Sequence, residues 1–242
     1  MMHKVFLFIL SLSEIKRDNV KQNMRKNQSF TIFLLFLFIT IIQAQELKLI
    51  DSLQIVNNTE ENLRNRVDNY TLIAYSFGNI NTDSSLKYSK QARDLADSIQ
   101  YTYGLAVSYS YIARASLQHG LLLESIHNFK LSLPLYLELG DSANVLDTYS
   151  GLSYVYSYGK NQKQSLIHNL KSLDIAIPLK DSVSLSIIYN NLGAIYMQLG
   201  NYEASVSNFQ KSIDIVPENT PITDVIPTYS NIAVVQVEHK RF

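Results

Sequence analysis

The chain contains no cysteine and no tryptophan. The first absence excludes disulfides, thiolate nucleophiles, thiolate metal sites and the acylated cysteine of a lipoprotein. Proline and glycine are scarce, five and eight among 242 residues. That scarcity speaks against a turn-rich β fold and for long uninterrupted helices. An excess of either charge is missing too, since 21 Lys and Arg balance 21 Asp and Glu. Residues 1–44 hold six basic and two acidic side chains, leaving fifteen basic and nineteen acidic for the rest. A mildly acidic body without a concentrated basic stripe speaks against a nucleic-acid partner. No Gly-rich phosphate loop, nucleophile elbow or recurrent pair of carboxylates occurs, so no mechanistic set for an enzyme can be assembled. No second histidine stands three or four residues from His119, His127, His168 or His239, as a helical metal site of paired histidines needs. Neither a metal nor a cofactor is expected.

What is present is a period. Ser85, Ser125, Ser165 and Ser205 stand 40 residues apart, and seven residues after each comes Ala92, Ser132, Ser172 or Ser212. Gln118, Tyr158 and Gln198 precede the last three serines by the same seven residues. A fixed spacing of this length marks a stacked repeat. The fourth repeat is the cleanest. Tyr189, Leu192, Gly193 and Tyr196 fall at helical spacing, Gly200-Asn201 breaks the helix, and Tyr202, Val206, Phe209, Ile213 and Val216 form a second apolar stripe that Pro217 stops.

The residues Tyr189, Leu192, Gly193, Tyr196, Gly200, Tyr202, Phe209 and Pro217 resemble a tetratricopeptide repeat, a pair of antiparallel helices. Ser205 and Ser212 stand where that family usually has Ala, and each hydroxyl is expected to bond the carbonyl a turn earlier. Shifts of 40 recover Tyr149, Leu152, Ser153 and Tyr156 in the third repeat, and Tyr109, Ile112, Ala113 and Phe129 in the second. A degraded first repeat keeps Leu72, Ser85 and Ala92, and a fifth begins with Tyr229, Ile232 and Ala233. The column Ala113, Ser153, Gly193, Ala233 is always small, and Ile73 breaks it. The fold expected is all-α, a superhelical solenoid of antiparallel helix pairs.

The frame is a leading helix and linker over 45–65, then repeats over 66–105, 106–145, 146–185 and 186–225, and a truncated fifth over 226–242. Asn57–Thr59 reads as a break and cap. The repeat is longer than the common 34 residues, with the extra length expected between repeats, around residues 139–142 and 179–182. Asp97-Ser98, Asp141-Ser142 and Asp181-Ser182 read as helix starts. With Asp51-Ser52 they also resemble acceptors for O-glycosylation on exported proteins of one bacterial group. The sequence ends at Phe242, in the turn that should lead to a second helix, so a fragment or truncated reading frame is expected.

Residues 1–44 read as an extension and a targeting segment. Arg25 and Lys26 precede the apolar run Phe30–Ile42, and Gln43-Ala44-Gln45 offers a cleavage point after Ala44, with Met24 as the true start. The alternative, a retained membrane anchor, asks for ~20 apolar residues and finds fewer. An exported, periplasmic or envelope-associated body is expected, and the long repeat form resembles arrays in exported bacterial regulatory proteins.

The resemblance implies that the first helices of successive pairs line a concave groove. On this chain that assigns Tyr70 and Ala74, then Ser110, Arg114 and Gln118, then Asp147, Ser150, Tyr154 and Tyr158. It continues with Asn190, Asn191, Ala194 and Gln198, and ends with Ser230, Asn231 and Val234. Asn191 and Asn231 fall where family members hold a peptide backbone by an amide, although Asn also bonds locally. Arg114 is the sole cation in the groove, which disfavours capture of a carboxylate. The tyrosines suit peptide recognition, or pack along the stack. The leading expectation is a module binding a protein or peptide. The alternatives are the sensory input of a membrane-bound kinase or DNA-binding regulator, and an envelope scaffold that self-associates.

Overall fold

From Thr82 to Ile222 successive helices begin twenty residues apart. The computed structural model describes residues 47–216 and 220–239 and distinguishes two compact units, Met1–Leu53 and Gln54–Phe242. Of the first unit, residues 47–53 are described, and they are helical. In the second, residues 54–59 are helical. There follow α1 (Leu63–Phe77), α2 (Thr82–Ser98), α3 (Thr102–Gln118), α4 (Leu122–Glu138), α5 (Ser142–Tyr158), α6 (Gln162–Leu179), α7 (Ser182–Gln198), α8 (Tyr202–Asp214) and α9 (Ile222–His239). No strand occurs among the described residues. The targeting segment and Pro217 lie outside them.

The constant spacing has a local cause. Asn81, Asp141, Asn161, Asp181 and Asn201 each accept, through the side chain, from a backbone N–H of the following turn. These bonds satisfy donors that a helix start leaves free. At the other end of each linker stands a residue in the left-handed region: Gln100, Gly120, Gly140, Lys160, Lys180 and Gly200, again twenty apart. After all of these but Lys180 the next N–H closes a six-to-one bond back into the helix, as from Leu121 to the Ser116 carbonyl (2.8 Å) and from Asn201 to that of Tyr196 (2.9 Å).

Several local expectations change. Asn57–Thr59 belongs to the helical residues 54–59, and Asn62 caps α1 instead. Asp97 and Ser98 close α2 rather than open α3, whose N-cap, Tyr101, makes no side-chain cap bond. The residues 139–141 form a tight turn between helices of 17 residues, so the extra length sits within the helices and not between repeats. The repeat frame at 106, 146 and 186 opens one turn inside α3, α5 and α7.

Packing runs along the chain without a single centre. One apolar cluster joins Val67 to Ala92 and Ala96, another Ala106 to Tyr136 and Val145. A third gathers Ala113, Phe129, Leu152 and Val155, and a fourth Ala176, Leu185, Ile188 and Leu192. Each helix meets its sequence neighbours, and α1 meets α3, α3 meets α5, and α7 meets α9. This nearest-neighbour pattern defines a solenoid.

The serine column ties three of the pairs together, though not by the bond expected. Ser205 Oγ donates across the pair to the Gly193 carbonyl at 2.7 Å, and Ser153 Oγ donates to the Ser165 carbonyl at 2.9 Å. Ser85 Oγ donates to the Ala74 carbonyl at 2.8 Å. Ala74, fully buried, therefore fills the small position that Ile73 leaves out of register by one residue. Ser125 Oγ is buried and makes no hydrogen bond. Gly193 is small for a definite reason: a Cβ there would lie 2.6 Å from the Phe209 ring.

Candidate functional site

Side chains three or four residues apart share one face of a helix, and such stripes on α1, α3 and α5 line one cavity of about 910 Å3. α1 contributes Ala74 and Tyr75. From α3 come Tyr103, Val107, Ser110, Tyr111, Arg114 and Gln118, and from α5 come Asn144, Asp147, Ser150, Tyr154 and Tyr158. The second helices add buried side chains, Ser85 of α2 and Phe129 and Tyr136 of α4. Tyr154 and Tyr158 are 60% and 63% exposed, which leaves large rings open to a partner.

Charge in the cavity is confined to one pair. Arg114 Nη2 donates to Asp147 Oδ2, joining α3 to α5, with both side chains about half exposed. Burial alone would lower the Arg114 guanidinium, but the charge and hydrogen bond of Asp147 raise it on balance. Burial pushes the Tyr111 phenol up, and it pushes Tyr136 up against the opposing effect of the Ser110 bond. Both phenols are therefore neutral near neutral pH. Ser110 Oγ donates to the Tyr136 hydroxyl at 3.4 Å, and Ser150 Oγ to Ser172 Oγ at 3.2 Å. Gln118 Oε1 accepts from Thr82 Oγ1 at 2.7 Å.

Ser110, Arg114, Gln118, Asp147, Ser150, Tyr154 and Tyr158 thus come together as a set. Ala74, also assigned from the sequence, lines the cavity with them, but several of the other assigned residues lie elsewhere. Tyr70 is half-buried beside Tyr88, with ring centroids 6.1 Å apart, in the cluster around Val67. Asn190 Oδ1 accepts from Thr228 Oγ1 at 3.3 Å, linking α7 to α9. Asn191 is half-buried on α7, Gln198 exposed at its end, and Asn231 half-buried on α9, none of them lining the cavity. Tyr75 was missed, and so were Tyr103, Val107, Tyr111 and Asn144, which extending the Ser110 and Asp147 stripes by the same period reaches. Tyr136 carried no such signal, because it arrives from a second helix.

Among the described residues no three His, Cys, Asp or Glu gather as a metal site, and no helix is long and apolar enough to cross a membrane. His119 Nε2 instead lies 3.3 Å from Asp83 Oδ1.

Helix pairs stacked by nearest-neighbour contacts, with a cavity along their first helices, define an α-α solenoid of the binding-scaffold type. Residues 186–219 match the tetratricopeptide repeat family. The chain therefore contains a tetratricopeptide repeat, set in an array of helix pairs of the same fold. No curated protein matches the sequence. Solved structures share the fold. BtubC from P. vanneervenii aligns at 15% identity and a TM-score of 0.67 over 80% of this chain and 81% of its own. A signal transduction ATPase with numerous domains and a tetratricopeptide repeat sensor, from Pyrococcus horikoshii, aligns at 17% and 0.67 over 81% of this chain and 30% of its own. NprR in complex with its cognate peptide NprX aligns at 18% and 0.54 over 72% of this chain and 52% of its own.

Proposed function

We propose that this chain is an exported tetratricopeptide-repeat module that binds a protein or peptide in the groove of α1, α3 and α5, without catalysis. One observation carries the reading: three successive first helices present exposed tyrosines and one polar pair around a cavity of about 910 Å3. That volume lies in the range of pockets that enclose small ligands, roughly 300–1,000 Å3. Tyrosine offers contact area at low entropic cost. The similarity to the peptide complex of NprR supports a peptide as occupant. The test is a peptide array probed with the full chain. Arg114→Ala combined with Tyr154→Ala is expected to abolish binding with helicity unchanged, whereas Asn191→Ala, outside the cavity, retains it. Binding that survives the double variant removes the groove.

Export rests on Arg25, Lys26, the run Phe30–Ile42 and Ala44. Mass spectrometry of the protein made in its own host is expected to find Gln45 at the amino terminus. A mature chain that begins at Met24 would point to a retained anchor.

A second reading, sensory input to a membrane-bound kinase or DNA-binding regulator, is favoured by the likeness to the sensor-bearing ATPase. An apolar span of ~20 residues and a signalling domain encoded beyond Phe242 would support it.

A further inference from the structure

Given the binding role proposed above, the chemistry of the cavity narrows what it holds. Arg114 and Asp147 are the charged side chains that line it, and each is already the other's partner. The pair carries no net charge, so a ligand carboxylate or ammonium drawn to one member is repelled by the other. Charge complementarity therefore points to an uncharged ligand.

The free hydrogen-bonding capacity lies deeper. Tyr136 reaches the cavity from α4 and is only 2% exposed. Its hydroxyl accepts from Ser110 Oγ at 3.4 Å. That contact is long beside the ~2.7–2.8 Å usual for hydroxyl pairs. Among the described residues the Tyr136 hydroxyl donates to no acceptor. A buried donor of this kind is left for a ligand to satisfy. Burial holds the phenol above its ordinary range, so the proton stays in place. Around it Tyr75 and Tyr111, with ring centroids 6.1 Å apart, and Tyr103 and Tyr154 provide aromatic surface.

We propose that the cavity takes an uncharged peptide segment, with one of its carbonyl oxygens accepting from the Tyr136 hydroxyl and its apolar side chains against the tyrosines. Recognition is then by amide and ring contact, and adding salt leaves it unchanged.

The full chain is probed with N-acetylated, C-amidated peptides in matched acidic, neutral and basic sets, and those retained are titrated by fluorescence anisotropy. The neutral set is expected to bind, equally at low and high salt. Tyr136→Phe keeps the ring and removes the donor, and is expected to weaken binding about tenfold with an unchanged helical spectrum. If that variant does not fold, thioamide substitution along a bound peptide tests the same contact from the ligand side, and one position is expected to weaken. Selective capture of the acidic or basic set overturns the uncharged ligand while groove binding stands. Unchanged affinity in folded Tyr136→Phe, or no thioamide-sensitive position, overturns the carbonyl contact. Capture of no peptide from any set, or binding indifferent to the Arg114→Ala, Tyr154→Ala double variant, removes the groove together with this proposal.

Discussion

Lys180 holds φ at 53° and Lys160 at 59°, in the region where Cβ crowds the backbone. Gly120, Gly140 and Gly200 occupy the same place in sister turns without that cost. An L residue there costs about 1–2 kcal/mol, and glycine's extra freedom in the unfolded chain returns part of the difference. Lys180→Gly is therefore expected to stabilise the protein by about 0.5–1 kcal/mol in urea melts. Gly200→Ala is expected to cost about 1 kcal/mol, and for backbone reasons only, since a Cβ there meets nothing within 4 Å. A second residue sets an acid limit. His168 stacks on Tyr156 with ring centroids 5.3 Å apart, and its Nδ1 is buried without a partner. Burial, then Lys171 and Lys130, lowers it to about 4. Above the unfolded value of about 6.5 the ring is neutral in both states. As pH falls from there to about 4, the unfolded chain takes up the proton and stability drops. His168→Phe keeps the stack and is expected to flatten the urea midpoint between pH 7 and 5, which wild type loses.

Helices of this array are bounded by their turns more than by propensity. Pro134 sits inside α4, which continues to Glu138. Local preference would end the helix at the proline, but Tyr136, 2% exposed and packed with Ala106 and Val145, holds the last turn in place. The starts are more local. Asp181 accepts from the Val183 and Ser184 N–H groups, each at 3.1 Å, and from Ser184 Oγ at 2.6 Å. These bonds, the Ser184 hydroxyl first, hold its carboxyl below the usual range. A depressed carboxylate stabilises the fold above its unfolded pKa, and the contribution is lost as pH falls through the folded one. Asp181→Ala is expected to cost about 1 kcal/mol at pH 7, with the difference from wild type closing in acid. An equal difference at pH 7 and pH 2 would mean that Asp181 acts by something other than its charge.

Over the whole molecule, stability is a sum of neighbouring interfaces rather than one core. The middle helices pack on both sides, as α5 does with Leu152 and Val155 against Ala113 and Phe129 and Leu146 against the cluster around Ala176. α9 leaves Ile226, Tyr229, Val234 and Val237 about half exposed. Hydrogen exchange is expected to be graded accordingly, slowest in α3 to α6 and fastest in α9. Uniform protection across the array would indicate a single cooperative unit.

The 40-residue period lay open in the sequence, because identical pairs must repeat identical contacts. Ser85, Ser125, Ser165 and Ser205 and the small column beside them displayed it. So did the helical stripes that lead to Arg114, Asp147 and Tyr154. What local pattern could not display was anything set by a partner helix. The half-period of twenty was masked because Gln100, Lys160 and Lys180 take a conformation that their side chains do not advertise. The first repeat appeared degraded at Ile73 until the Ser85 bond to Ala74 showed a shift of one residue. The union of Arg114 with Asp147 and the arrival of Tyr136 from α4 depend on how pairs nest. Sequence order alone therefore determined the repeat and its faces, while the charge balance and depth of the cavity were decided by packing between helices far apart in the chain.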